Sequence, residues 1–162
     1  MDDILLREYQ PADLEALYRI DQACYPPGIA YTRRMLRWFL AQHGCHCLVA
    51  ELDGEPVGFL VAIGEGTVGH IVTLDVLERY RRRGLGTRLL LEAERRMAAA
   101  GVRTVELETA TTNHAAIAFW RKHGYRTSGV LRSYYPDGQD AYGMYKSLGA
   151  GAGPRAREKS GI

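Results

Sequence analysis

Leu74-Asp75-Val76-Leu77-Glu78-Arg79-Tyr80-Arg81-Arg82-Arg83-Gly84-Leu85-Gly86-Thr87-Arg88-Leu89 is the stretch that decides the fold. It closes a β run that begins at Thr67, turns through a basic glycine-containing loop, and opens a helix in which Leu85, Leu89, Ala93 and Met97 recur every four residues as far as Gly101. Such a junction aims the unpaired N–H groups of the first helical turn, and the positive end of the helix dipole, at one point. Phosphate oxygens fit there. Gly84 and Gly86 keep Cβ atoms out of the way, while Arg79, Arg81, Arg82, Arg83 and Arg88 supply charge.

Upstream, residues 4–9 read as a short strand, and Gln10-Pro11-Ala12-Asp13 starts a helix with Leu14, Leu17, Ile20 and Cys24 on its apolar side. Tyr25-Pro26-Pro27-Gly28 ends it. Thr32 caps a second helix, with Met35, Phe39 and Leu40 expected to face inward. Residues 47–52 and 57–62 flank Asp53-Gly54-Glu55-Pro56, a hairpin by its turn residues. Downstream come a strand from Val102 to Thr109, a helix from Asn113 to His123 stopped by Gly124, and a strand pair, 125–134 and 141–148, around Pro136-Asp137-Gly138. The expected class is α/β, a mixed and mostly antiparallel sheet with flanking helices. Residues 1–148 form the expected domain, and 149–162, rich in Gly, Ala and charge without apolar period, the expected disordered tail.

Composition narrows the function. With 162 residues, 46% hydrophobic and 25% charged, the chain suits one domain with one core. No apolar run approaches the roughly 18 residues of a membrane helix, and the acidic start lacks the basic region of a signal peptide, so no membrane association and a cytoplasmic location are expected. The net charge of +2 resides wholly in the last fourteen residues, which gives no general basic footprint for direct nucleic-acid binding. Three cysteines without a CxxC spacing argue against a disulfide framework. Cys45-His46-Cys47 alternates across a strand and lacks further ligands, so strand packing is expected and no metal.

Other phosphate loops fit poorly. A P-loop requires GxxxxGK[ST], and none of the three lysines lies near Gly84; the dinucleotide fingerprint requires a third glycine where Leu89 stands. Arg81-x-x-Gly84-x-Gly86 instead resembles the [Q/R]xxGx[G/A] pyrophosphate loop of the GCN5-related N-acetyltransferase (GNAT) superfamily, and Asn113 to Tyr125 resembles that family's next helix. Within it, Ser133 to Tyr142 resembles the YYxDGEDAxxM segment of protein N-terminal acetyltransferases, including the branch that acetylates a ribosomal protein's N-terminal alanine. Gln139 departs from it, standing where Glu is usual.

The resemblance implies an acetyl-CoA-dependent N-acetyltransferase whose fourth and fifth strands splay apart. By position, main-chain contacts to the pantetheine arm fall on Leu74 and Val76, with Asp75 between them. Arg81, Arg82, Arg83, Gly84, Leu85, Gly86 and Thr87 hold the pyrophosphate, and Asn113 is both helix cap and cofactor contact. Glu108 matches the base position, although alternation puts Glu106 on the same face. The thiolate's proton donor in related enzymes is a tyrosine, where this chain has Trp120; Tyr125, Tyr135 or water is then left to supply the proton. Tyr25, Tyr31, Tyr134 and Tyr135 would line a groove for the acceptor, a peptide or protein N-terminus attacked directly in a ternary complex. A small-molecule amine acetyltransferase and a non-catalytic acyl-CoA sensor are the alternatives, and a monomer and a homodimer stay equally open.

Overall fold

The computed structural model describes residues 3–149. Its strands are β1 (Ile4–Glu8), β2 (Cys45–Leu52), β3 (Glu55–Glu65), β4 (Val68–Val76), β5 (Thr104–Ala110), β6 (Arg126–Leu131) and β7 (Ala141–Ser147). The α-helices are α1 (Leu14–Cys24), α2 (Arg33–Leu40), α3 (Leu85–Ala99) and α4 (His114–Lys122). One seven-stranded sheet runs in the order β1-β2-β3-β4-β5-β7-β6, antiparallel at every junction except β4–β5. The expected mixed, mostly antiparallel sheet is what forms. The expected tail, from residue 150 onward, lies outside the described residues.

Period-two alternation loads both faces of this sheet with apolar side chains. On β2, Leu48 and Ala50 face one cluster with Leu60, Ile71, Leu107 and the α3 residues Leu85, Leu89, Ala93 and Met97. Cys47 and Val49 face the other, with Phe59, Val61 and the α1 residues Leu17 and Ile20. Each fully buried Leu contributes about 1.5–3 kcal/mol by leaving water. Tyr125 closes the α3 side, its hydroxyl donating to Glu94 at 2.7 Å while Lys146 donates to the same carboxylate at 2.9 Å.

Local signals set the element ends. Asp53 and Gly54 both have positive φ (51° and 82°), which makes a tight hairpin turn between β2 and β3. Thr32 Oγ1 accepts from Met35 N at 3.1 Å, and Asn113 Oδ1 from Ala116 N at 3.1 Å. The inward face of α2 differs from expectation at one position. Leu36 is fully buried and Met35 is 43% exposed, because the cap at Thr32 fixes the rotation so that Leu36, Phe39 and Leu40 form the stripe.

The β4–β5 junction is the feature that positions the site. Parallel pairing covers only Val68↔Thr104, Gly69↔Val105 and His70↔Glu106. Beyond it Val72 is an extra residue on β4, since Val61 pairs with Thr73 while Ala62 pairs with Ile71. A bulge bends and twists its strand. The rest of β4 stays with β3 while β5 pairs along its full length with β7, so a cleft opens between the two strands.

Candidate active site

One wall of the cleft is the main chain of β4. Leu77 N donates to Val57 O on β3, so alternation directs the main-chain groups of Val76 and Leu74 to the opposite, β5-facing edge. Three carbonyls of this edge already accept hydrogen bonds. Tyr31 Oη donates to Val72 O at 3.3 Å, Tyr25 Oη to Leu74 O at 3.2 Å, and Arg81 Nε to Val76 O at 2.7 Å. Val72 O and Leu74 O each keep a second lone pair, while Val76 O also accepts from Cys24 Sγ at 3.5 Å. Asp75, expected with its neighbours, points elsewhere: the same alternation turns its carboxyl to the α1 face, where it is 1% exposed and accepts from Thr73 Oγ1 at 2.5 Å.

At the mouth of the cleft the basic loop feeds α3. Gly84 caps the helix in the left-handed region (φ 76°) with no side-chain cap bond, and Arg82 also has positive φ (64°). The N–H groups of Leu85, Gly86 and Thr87 belong to the first turn and have no intrahelical acceptor. Several of the loop's arginines engage the protein itself. Arg81 ties back to β4, Arg79 and Arg83 stack on the Tyr80 ring at 5.0 and 5.6 Å, and Arg88 donates to Ile4 O at 3.3 Å. A Cβ at Gly86 would lie in ordinary contact with the Phe119 ring at 3.4 Å, which leaves no room beyond it for a branched side chain. Thr87 Oγ1 lies 2.9 Å from His123 Nε2.

Deeper in the cleft three side chains meet. Glu108 Oε1 lies 2.7 Å from His70 Nε2 and accepts from Tyr134 Oη at 3.2 Å. A carboxylate facing Nε2 requires the proton on that nitrogen, so His70 donates. Burial first, and the Glu108 charge second, push the Tyr134 phenol up to about 12, which keeps it a donor at neutral pH. Glu106, level with His70, is exposed and outside this constellation. His70 was not among the residues singled out in the sequence, because the signal is a strand pairing: only when β4 lies beside β5 does a lone strand histidine acquire Glu108 as partner.

The tyrosines divide into two pairs. Tyr25 and Tyr31, from the loop between α1 and α2, lean on β4 as above, and burial holds both phenols well above the usual range. Tyr134 and Tyr135, between β6 and β7, pack edge to face at 4.9 Å. The two loops touch: a Cβ at Gly28 would come 2.8 Å from Asp137 Cβ. Trp120 stands apart, buried edge to face against Phe119 and Tyr125 as a core side chain. The free cysteines Cys24, Cys45 and Cys47 have thiols pushed up by burial, so they are poor nucleophiles.

The arrangement has known counterparts. The sequence model of the Acetyltransferase (GNAT) family matches residues 14–125. An N-alpha-acetyltransferase of Sulfurisphaera tokodaii is 32% identical over 160 residues, covering 88% of this chain and 92% of that one. The crystal structure of Ard1 from Thermoplasma volcanium superposes with a TM-score of 0.83 at 29% identity, covering 91% of this chain and 99% of its own. Arabidopsis thaliana NAA60, crystallised with acetyl-CoA, gives 0.78 at 25% identity, covering 90% and 98%. A strand that splits from its parallel neighbour, a left-handed glycine cap after it and this sequence match have one joint conclusion: the chain belongs to the GNAT family and is an N-acetyltransferase.

Proposed function

We propose that the protein transfers an acetyl group from acetyl-CoA to the α-amino group of a peptide or protein N-terminus, by direct attack in a ternary complex. The observation that carries this reading is Glu108, held by His70 and Tyr134 inside the cleft between the two tyrosine-bearing loops. The named activities of the N-alpha-acetyltransferase relatives support the same acceptor class.

The residues present fit the donor. Leu85, Gly86 and Thr87 offer free N–H groups to a pyrophosphate at the helix start, with Arg82, Arg83 and Gly84 shaping the approach. The main-chain groups of Leu74 and Val76 face the cleft, where amide groups of a pantetheine arm can pair with them, and Asn113 sits at the adjoining start of α4. When bound, acetyl-CoA supplies an activated thioester.

The remaining chemistry belongs to the chain. An α-ammonium has no lone pair, and its pKa of about 8 means that a proton has to leave at neutral pH. Glu108 accepts on Oε1 from both His70 and Tyr134, which fixes the carboxylate plane and leaves Oε2 to take that proton. His70 stabilises the carboxylate between turnovers. The contact between Gly28 and Asp137 narrows the acceptor entrance, suiting a chain terminus.

A panel of N-terminal peptides, assayed with acetyl-CoA for coenzyme A release and by mass spectrometry, tests the reading. Acetylation of the α-amine is expected. Turnover of polyamines or aminoglycosides with none of the peptides overturns the acceptor class, and binding of acetyl-CoA without turnover of any amine overturns the enzyme.

A further inference from the structure

Beneath β4, on the α1 face of the sheet, two carboxyl groups are buried against each other. Asp21, in the last turn of α1, is 0% exposed, and Asp75 on β4 is 1% exposed. Each has one oxygen with an ordinary partner. Asp21 Oδ2 accepts from Tyr31 N at 2.7 Å, and Asp75 Oδ1 accepts from Thr73 Oγ1. Among the described residues the other two, Asp21 Oδ1 and Asp75 Oδ2, have no donor, although the two side chains lie within hydrogen-bonding reach of one another. Two buried oxygens that only accept cannot satisfy each other as carboxylates.

We infer that Asp21 and Asp75 share one proton, and that this acid–carboxylate pair is a positioning device fastening the loop between α1 and α2 to β4. A proton on one carboxyl turns it into a donor to the other, and the pair then carries one negative charge in place of two. Fastening follows from what each residue also holds. Asp21 pins the Tyr31 main chain, and Tyr31 in turn reaches Val72 O, so the wall with Tyr25 and Tyr31 is tied to the strand that lines the cleft. That this wall serves the acceptor rests on the proposed function; the shared proton does not.

The surroundings favour a retained proton. Burial is the largest influence on both carboxyls, and it raises them. Arg81 acts the other way on Asp75, but its Nε is committed to Val76 O. Cys24, Tyr25 and Tyr31 also face the pair from α1 and its following loop, with Phe59 opposite Asp75 on β3; the cysteine and tyrosines are neutral at pH 7 and burial keeps them so. A proton bound in the folded state and absent from an ordinary unfolded carboxyl makes stability fall as pH rises above the unfolded value near 4, until the raised folded value is passed.

The test uses the intact protein without ligand. Infrared spectra at neutral pH in D2O are expected to show a protonated carboxyl band that disappears in both Asp75→Asn and Asp21→Asn. Either Asn variant keeps a hydrogen bond between the side chains without a titrating proton. Relative to Asp75→Asn, the wild-type unfolding constant is expected to climb about tenfold per pH unit above pH 5. Amide exchange at Tyr31, corrected for its intrinsic pH dependence, rises with it in the wild type alone. A wild-type spectrum without the band overturns the shared proton whether or not the variants fold. Parallel unfolding curves for wild type and variant overturn it too, and a Tyr31 amide indifferent to pH overturns the fastening. None of these readouts depends on acetyl transfer.

Discussion

His70 on β4 and Glu108 on β5 meet through a 2.7 Å bond just where the two strands part. His70 is in the last parallel pair, opposite Glu106, and Glu108 is two residues further along β5 on the same face. The bond therefore bridges the opening of the cleft. Both groups are partly exposed, with side-chain exposures of 40% and 21%, so water and an amine can reach them. A structural ion pair gains little at such exposure. A base that has to exchange protons gains access.

Glu108→Gln keeps the shape and removes the charge. Turnover at neutral pH is expected to fall by about 10²–10⁴-fold, the range for a lost general base. Acetyl-CoA affinity is expected to stay unchanged, because the loop from Arg81 to Thr87 is untouched. Steady-state kinetics and calorimetry on the same preparation check the pair of statements, and equal turnover in the variant would remove Glu108 from the reaction.

His70→Phe fills similar space without a donor. The expected loss is about 10- to 100-fold in turnover, the scale of one hydrogen bond to a charged group. Since His70 acts through Glu108, adding the substitution to Glu108→Gln should cost almost nothing more. A double-mutant cycle in turnover measures this; fully additive losses would mean that His70 has its own role.

Much of the frame was legible because it follows from local rules. The four-residue period from Leu85 to Met97, the Asp53-Gly54 turn and the Thr32 and Asn113 caps each depend on a few neighbouring residues. Met35 shows how narrow that legibility is, since an inward face shifts by about 100° for each residue of helix. His70 and Asp21 were illegible for another reason. Each looked like an ordinary polar residue in its own element, and its meaning lies in a partner some 38 or 54 positions away. The partners of the arginines near Gly84 were equally illegible, since Arg81 reaches Val76 O, Arg79 the Tyr80 ring and Arg88 Ile4 O.

Gly86→Val should abolish acetyl-CoA binding in calorimetry while the protein stays folded by circular dichroism. Crowding against Phe119 produces the effect. A Cβ at this position already touches the Phe119 ring at 3.4 Å, so branched γ-carbons must displace the ring or the loop, and the displaced first turn no longer aims its N–H groups together. Combining it with Phe119→Ala makes room and should recover part of the affinity. Undiminished binding by Gly86→Val alone would contradict the placement of the pyrophosphate.

Stability toward acid should depend on Arg7 and Asp13. The Arg7 guanidinium donates to both Asp13 oxygens at 2.8 Å and also to Glu51 at 2.7 Å, tying β1 to the start of α1 and to β2. Arg7 foremost, helped by the Gln10 N–H and opposed by burial, holds the Asp13 carboxyl below its usual value. With the folded value lower than the unfolded one, the contribution is complete above about pH 4 and disappears as pH falls through the folded value. Its sign is opposite to that of the Asp21–Asp75 pair, so stability should be greatest between the two regimes. Arg7→Met removes the charge but keeps much of the chain length, so the denaturant midpoint should fall at neutral pH and its acid limb should flatten, the two profiles converging at low pH. If that limb is the same in Arg7→Met and the wild type, Asp13 does not draw its acid resistance from Arg7.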